Sequence, residues 1–373
     1  MRYTMSATAL CALLAAAPAV ADTYLAATWL GLGSPNGKFM QEYVSQIDEI
    51  SGGELTFDLH AAGALLPADG SLSGLSANVA QFVHITGAYV PSDLPLDNVM
   101  SDFAFAYEGS LTALAIGSIE TKLTDPSIQD EYKSHDAVFV STGANGPYNL
   151  ICKGEIHGLD DLDGKKIRVT SSAHVAWLNA VGATSVSVPG SEIYTGLQRN
   201  SIDCAVGDPL FLTDYFNLVE VADSVTTLSL GWLDTGGYFF NRDFWNDITP
   251  EERRQLLDAA AMTTAVNMIE WEESLEGAYA AANEQGVAVI EPDEDLAAQM
   301  EAYKAEYRDG FAAFEMDKRN IDDPSELVAH ADEAHDRWNA LLSEIDARDP
   351  AALAALLKTE IYDKIDVETY GID

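Results

Sequence analysis

The chain has 373 residues, 47% of them hydrophobic, which suffices for a buried core and, at about 100–200 residues per domain, for two domains. Sixty Asp and Glu against twenty Lys and Arg give a net charge of -40 and a pI near 4.1. Such a field repels nucleic acid and anionic lipid, which argues against a DNA or RNA partner, and the aliphatic and aromatic content argues against a disordered chain.

In chain order, Arg2 opens a short n-region, an apolar stretch runs from Ala7 to Val20, and Ala19-Val20-Ala21 supplies a small-x-small triplet. This pattern predicts a secretory signal over residues 1–21, cut before Asp22, and a periplasmic mature protein. No later stretch offers the roughly 18 uninterrupted apolar residues of a membrane span. Cys11 leaves with the signal, so Cys152 and Cys204 remain. In an oxidising compartment they are a candidate disulfide; both also sit in short alternating apolar segments, where small buried core residues are the other reading.

Residues 24–30 read as a short strand ending near Trp29, followed by the loop Gly31-Leu32-Gly33-Ser34-Pro35-Asn36-Gly37, where backbone can approach a ligand. Phe39, Met40, Tyr43, Val44, Ile47 and Ile50 recur at helical spacing, and Gly52-Gly53 supplies the stop. Leu55, Phe57 and Leu59 alternate with polar residues as a half-buried strand, and strand, helix, strand is the start of an α/β layer. Further strands are predicted at Ala137 to Ser141, around Ile167 and Val169, and around Val186 and Val188. Ser191 is placed as the cap of a helix whose Ile193, Tyr194 and Leu197 share a face, before a strand holding Ile202, Cys204 and Val206. Thr249-Pro250-Glu251-Glu252 is a helix start with Pro in the first turn, and that helix runs to about Asn283. Val287 to Ile290 is a strand, and helices fill most of the remainder.

Catalytic and metal signatures fail on spacing. His330 and His335 lie five positions apart, about 500° round a helix, so they do not share a face and are placed on a solvated surface. Asp160, Asp161 and Asp163 before Gly164 lack the spacing of a calcium loop, and Gly70-Ser71-Leu72-Ser73-Gly74 centres on Leu where a nucleophile elbow needs Ser. Gly164-Lys165-Lys166 lacks the upstream glycine of a phosphate loop. No nucleophile, base and orienter assemble, so the chain is read as a non-enzyme without cofactor, no residue is assigned as a metal ligand, and whether a metal ion assists binding stays open.

Arg168 stands out. A guanidinium in a strand of alternating hydrophobics costs several kcal/mol unless it meets an anion, which is either an internal carboxylate or a bound acid. It lies in the run Leu159-Asp160-Asp161-Leu162-Asp163-Gly164-Lys165-Lys166-Ile167-Arg168-Val169, which is followed by Val181-Gly182-Ala183. Next come Glu192-Ile193-Tyr194-Thr195-Gly196-Leu197-Gln198 and, after Arg199-Asn200-Ser201-Ile202, Asp203. In order and spacing this succession resembles the solute-binding proteins of tripartite ATP-independent periplasmic (TRAP) transporters, the DctP family. Gly52-Gly53-Glu54-Leu55, Tyr89-Val90-Pro91 with Leu94-Pro95-Leu96, and Ala144-Asn145-Gly146 agree with it, so the likeness covers the mature chain.

The resemblance implies a two-lobe, type II-like periplasmic binding protein fold of α/β class, with hinge-crossing strands and a long interdomain helix. Its lobes would be 22–145 plus about 235–275, and 146–234 plus about 276–373. It implies capture of a small organic carboxylate in the inter-lobe cleft and delivery to TRAP membrane permease subunits, by a monomer or, through an extra C-terminal helix, a dimer. Arg168 matches the family position that grips the ligand carboxylate in a two-pronged contact. Family members for larger acids carry a second Arg just after the Asn-Gly turn; here that position is Tyr148, which favours a monocarboxylate or a zwitterion. The ligand-binding candidates are Arg168, Trp29, Tyr89, Asn145, Tyr148, Gly207, Asp208 and Trp232, with Trp177 also near a family binding loop. Asp208 either pairs with a ligand amine or hydroxyl or is a turn residue before Pro209, Glu192 and Tyr194 serve capping and packing, and Asp234 could help hold a cation. The competing functions are an exported cleft enzyme such as a hydrolase and the binding protein of an ABC importer.

Overall fold

The computed structural model describes residues 22–107 and 109–372, so the signal reading over 1–21 and Cys11 lies outside the described residues. Strand β1 (Asp22–Ala27) leads past Trp29 into the glycine loop. Ser34 then caps α1 (Pro35–Ser51) by accepting from the Gly37 amide at 3.1 Å. A Cβ on Gly37 would lie 2.1 Å from the Gly31 carbonyl, so only glycine lets this loop fold back over the helix start. Gly52, at φ 64, ends α1 in the left-handed conformation expected of the Gly-Gly stop. Next come β2 (Leu55–His60), α2 (Ser71–Ser76), β3 (Phe82–Ile85), α3 (Pro95–Phe103), α4 (Leu111–Thr124), α5 (Pro126–Lys133) and β4 (Ala137–Ser141).

The chain crosses from there through β5 (Ala144–Asn145) into β6 (Asn149–Cys152), then forms β7 (Lys166–Arg168), α6 (Ser172–Ala180), β8 (Thr184–Val186), α7 (Ile193–Gln198), β9 (Cys204–Gly207) and β10 (Ser224–Thr226). It returns through β11 (Leu233–Asp234) to β12 (Gly237–Asn241) and α8 (Arg242–Asp247). The capping box of Thr249 and Glu252 opens α9 (Pro250–Glu284), as its sequence predicts. Beyond it lie β13 (Ala288–Ile290), α10 (Glu294–Arg319), α11 (Ser325–Leu342) and α12 (Pro350–Glu360).

Among the described residues the strands form a sheet of order β2-β1-β3-β12-β4, a second of order β13-β10-β6-β9-β7-β8, and the pair β11-β5. β1 is parallel to β2 from Asp22↔Leu55 to Ala27↔His60, and to β3 on its other side. β7 is parallel to β8 and β9. Each parallel set therefore aims its carboxyl ends, where α/β layers hold ligands, at one seam. β5 and β11 pair antiparallel at that seam, Asn145 opposite Leu233 and Ala144 opposite Asp234, so both crossings run side by side. Lys122, fully buried, bridges Asp97 (2.8 Å) and Asp234 (3.0 Å) beside this pair. Cys152 and Cys204, opposite each other in β6 and β9, form a disulfide. α9 starts on the first sheet, with Tyr43 of α1 donating to the Leu256 carbonyl at 2.9 Å, and ends against β13 of the second.

Three local expectations need correction. Ser191 does not cap a helix: residues Gly190–Glu192 form a 3₁₀ turn whose end continues into α7, without a side-chain cap. His335 is not on a solvated surface. Its ring is buried and stacked on Phe103 with centroids 6.0 Å apart, because α11 packs its Leu327, Ala331, Ala334, Trp338 face on α4. Residues from Ser325 onward also do not join the second sheet. α12 packs on α9, and Tyr362 and Tyr370 donate to the Val140 and Phe139 carbonyls of β4 at 3.0 and 2.7 Å.

Candidate functional site

A cavity of about 60 Å³ lies at the seam, walled by both sheets. From the first sheet come Trp29, past the end of β1, and His84, Thr86, Ala88 and Tyr89, at and past the end of β3; α1 adds Asn36. From the second come Arg168, at the end of β7, then Thr170, Gly190, Phe211, Tyr215 and Phe216. The crossing segments contribute Asn145, Tyr148, Leu233, Asp234 and Thr235.

Arg168 is 2% exposed. Its Nε donates to the Val188 carbonyl at 3.0 Å and its Nη2 to the Tyr89 hydroxyl at 3.4 Å, and among the described residues no carboxylate pairs with it. β7 delivers it there because Ile167 and Val169 point into the core of the second sheet while the strand's carboxyl end meets the seam. The Tyr89 hydroxyl also accepts from the Gly190 amide at 3.0 Å, and its ring sits edge-on to Trp29 at 5.2 Å. Trp29 Nε1 donates to Thr86 Oγ1 at 3.3 Å. Tyr148 accepts from Asn145 Nδ2 and lies parallel to the His174 ring, centroids 5.8 Å apart. Tyr215 donates across the seam to Asn36 Oδ1 at 2.9 Å and reaches Asn145 Oδ1 at 3.4 Å.

The titrating neighbours leave Arg168 as the fixed cation of this wall. Burial pulls the His84 imidazole down to about 4, against a contact with the Thr235 carbonyl, so His84 is neutral near pH 7. The Asp234 carboxylate is engaged by Lys122 and by Thr142 Oγ1 and the Gly236 amide, both at 2.9 Å. Burial, with a lesser effect of the Asp208 charge, holds the Tyr148 phenol well above its ordinary value, so it stays a neutral hydrogen-bonding group.

Five of the residues expected from sequence meet here: Arg168, Trp29, Tyr89, Asn145 and Tyr148. Gly207, Asp208 and Trp232 do not reach the cavity wall. A Cβ on Gly207 would meet the Phe211 ring at 2.3 Å, so this glycine makes room for a wall residue. Asp208 is wholly buried and spends both oxygens on backbone, accepting from Gly146 (2.7 Å) and Leu210 (2.7 Å), which makes it the turn cap before Pro209. Trp232 faces a separate groove with Pro147, Pro209 and Leu275. Trp177 is a core residue whose Nε1 donates to Gln299 at 2.7 Å. Reading the sequence missed Asn36, His84, Phe211, Tyr215 and Phe216. Asn36 lies inside the glycine loop already singled out, and the Phe211–Phe216 aromatic cluster directly follows the Gly207-Asp208-Pro209 turn, so position within those loops was the available signal.

The family model for bacterial extracellular solute-binding proteins, family 7 (DctP), matches residues 26–313. The chain belongs to this family. It is 25% identical over 277 residues to the ectoine-binding periplasmic protein TeaA of Halomonas elongata, covering 73% of this chain and 78% of TeaA. It is also 25% identical over 250 residues to the ectoine/5-hydroxyectoine-binding periplasmic protein UehA of Ruegeria pomeroyi, covering 67% and 72%. Among solved structures, a marine metagenome TRAP solute-binding protein in complex with 3-hydroxybenzoate superposes with a TM-score of 0.74 at 19% identity, over 85% of this chain and 98% of that one. A Desulfovibrio salexigens TRAP protein with bound orotic acid gives 0.73 at 17%, over 85% and 99%. The two-lobe α/β fold is thus shared with this DctP protein, which is the solute-binding component of a TRAP transporter and not an enzyme. Its family is extracytoplasmic, and among the described residues no helix is long and apolar enough to cross a membrane.

Proposed function

We propose that the cavity captures a small organic acid bearing a single carboxylate, a monocarboxylate or a zwitterion, and that the two lobes close on it before delivery to the permease. The observation that carries this reading is Arg168: a buried guanidinium aimed into a cavity, tied to a carbonyl and a phenol, with no carboxylate partner among the described residues. In so acidic a chain, a cation left without an acid is a place kept for an incoming one. Its Nη1 makes no hydrogen bond among the described residues, so Nη1 and Nη2 offer the planar fork that a carboxylate takes in bidentate fashion.

Among the described residues the wall holds no second fixed cation, which favours one carboxylate over two, because a dicarboxylate would bury a charge without a partner. The faces of Trp29, Tyr89, Phe211 and Tyr215 suit the flat or apolar body of a small acid and, for a zwitterion, attract its cation. The ectoine-binding relatives accord with the zwitterion arm. The moving bodies we assign are 22–145 with about 235–275 and, by their packing, α11 and α12, against 146–234 with the segment from about 276. Export would end in removal of residues 1–21, leaving the mature protein in the periplasm.

Isothermal titration calorimetry against a panel of monocarboxylates, ectoine-like zwitterions and dicarboxylates such as malonate tests the reading. Saturable binding of a single-carboxylate acid with the acid recovered intact is expected. Tightest binding by a dicarboxylate, or accumulation of a product, would overturn it.

A further inference from the structure

A second polar cluster spans the seam away from the cavity. Asp102, near the end of α3 on the first-sheet side, is 2% exposed and follows the cavity-lining Ser101. Its carboxylate accepts from Ser171 Oγ at 2.7 Å and from Ser172 Oγ, both at the start of α6 on the second-sheet side. Ser171 also caps α6 by accepting from the Ala173 amide at 3.2 Å, and it stands just beyond Arg168 in the chain. Arg319, the last residue of α10, donates Nη2 to Asp102 and to Ser172 Oγ at 3.1 Å, while its Nε pairs with the buried Glu315.

α10 itself touches both sides. Near its start Gln299 accepts from Trp177 Nε1 at 2.7 Å and Tyr303 donates to the Ala173 carbonyl at 3.4 Å, both on the second side. Near its end Phe311 packs edge-on against Phe103 at 5.6 Å, on the first side. Two buried acids, Asp102 and Glu315, thus share one guanidinium, and the two serine hydroxyls from the opposite lobe are the remaining donors to Asp102. If the lobes part as assigned above, α10 moves with Ser171 and Ser172, so Asp102 must give up both serines and Arg319, while the Arg319–Glu315 pair stays within α10.

We propose that Asp102, with Ser171, Ser172 and Arg319, is a latch across the seam that holds the closed form and seats the strand end carrying Arg168. Asp102 is a positioning residue, since it does not line the cavity. The latch stands on this geometry alone; only its consequence, slower loss of a bound acid, rests on the function proposed above.

The test needs no ligand. The Gly190 amide donates to Tyr89 across the seam, so its hydrogen exchange reports how often the closed form opens. Ser172→Ala removes one cross-lobe donor and leaves the Asp102–Arg319 pair in place, while Asp102→Asn weakens the whole cluster. Loss of one hydrogen bond to a charged group predicts about tenfold faster exchange at Gly190 in Ser172→Ala, and at least as much in Asp102→Asn. Amides of β6 and β9, inside one lobe, should exchange as in the unmodified protein. Unchanged exchange at Gly190 in both variants, or an equal rise in β6 and β9, would overturn the latch. Either result leaves the calorimetric test of the cavity untouched, so the two readings can fail separately.

Discussion

Replacing Arg168 by alanine has two consequences that should differ in size. Without ligand, the guanidinium is 2% exposed and is met by two neutral acceptors, at 3.0 and 3.4 Å. Desolvating such a cation costs several kcal/mol, against which two hydrogen bonds to a charged group return about 1.5–3 kcal/mol each. Alanine removes both terms, strands the Val188 carbonyl and leaves a hole, which together cost about 1–3 kcal/mol. The unfolding free energy of the ligand-free variant should therefore stay within about 2 kcal/mol of the parent. The bound state suffers far more. A carboxylate that loses a bidentate, charge-assisted contact in a closed cavity gives up at least about 3 kcal/mol, a weakening of about a hundredfold or more in Kd. Arg168→Lys keeps the charge without the planar fork and should weaken binding about tenfold. Titration calorimetry with the tightest acid of the panel, paired with urea unfolding of each ligand-free variant, reads both quantities. Affinity within threefold of the parent in Arg168→Ala, or a loss of more than about 3 kcal/mol in ligand-free stability, would refute the reasoning by making Arg168 a structural residue.

Three further outcomes are expected. Replacing Cys152 and Cys204 together by serine opens a loop of 52 residues in separation, worth about 4 kcal/mol by chain entropy, which denaturant midpoints at equal m-value would show. Burial pushes the Asp208 carboxyl up to about 7 from an ordinary 3.8, so the folded protein keeps a proton there that the unfolded chain has lost. Its contribution therefore falls as pH rises from about 4 to 7, by on the order of 4 kcal/mol at most, and Asp208→Asn should gain stability relative to the parent over that window; a pH-independent difference would count against it. Lys122→Met leaves Asp97 and Asp234 buried without their cation and should cost about 3–5 kcal/mol, recovered in part by adding Asp97→Asn; thermal unfolding of both variants decides this.

What the sequence made legible was local. The Thr249–Glu252 box, the Gly52 stop and the alternation through Leu55, Phe57 and Leu59 depend on neighbours within a few residues, and the structure agrees with each. Arg168 was legible because a guanidinium among hydrophobics is costly wherever the strand lies. What escaped depends on partners far along the chain. Asp208 reads equally as a cleft acid or a turn residue until Gly146 is seen to occupy its second oxygen, and Ser191 looks like a cap until the 3₁₀ turn is seen to run on into α7. Tyr215 joins the cavity through Asn36, on the other lobe, and nothing in its own surroundings announces that. The docking of α11 and α12 on the first lobe likewise follows from which helix faces were free to receive them.

The chain's last stretch is held in an unusual manner. Arg254 donates to the carbonyls of Tyr362 and Ile365, both at 2.7 Å, Arg253 to that of Val367 at 3.1 Å, and Arg242 to that of Gly371 at 3.0 Å. Main-chain oxygens look alike whatever side chain they carry, so these clamps grip a shape without reading its letters. The terminus is thereby free to drift by substitution over evolutionary time, whereas losing its length would take carbonyl acceptors from three arginines at once.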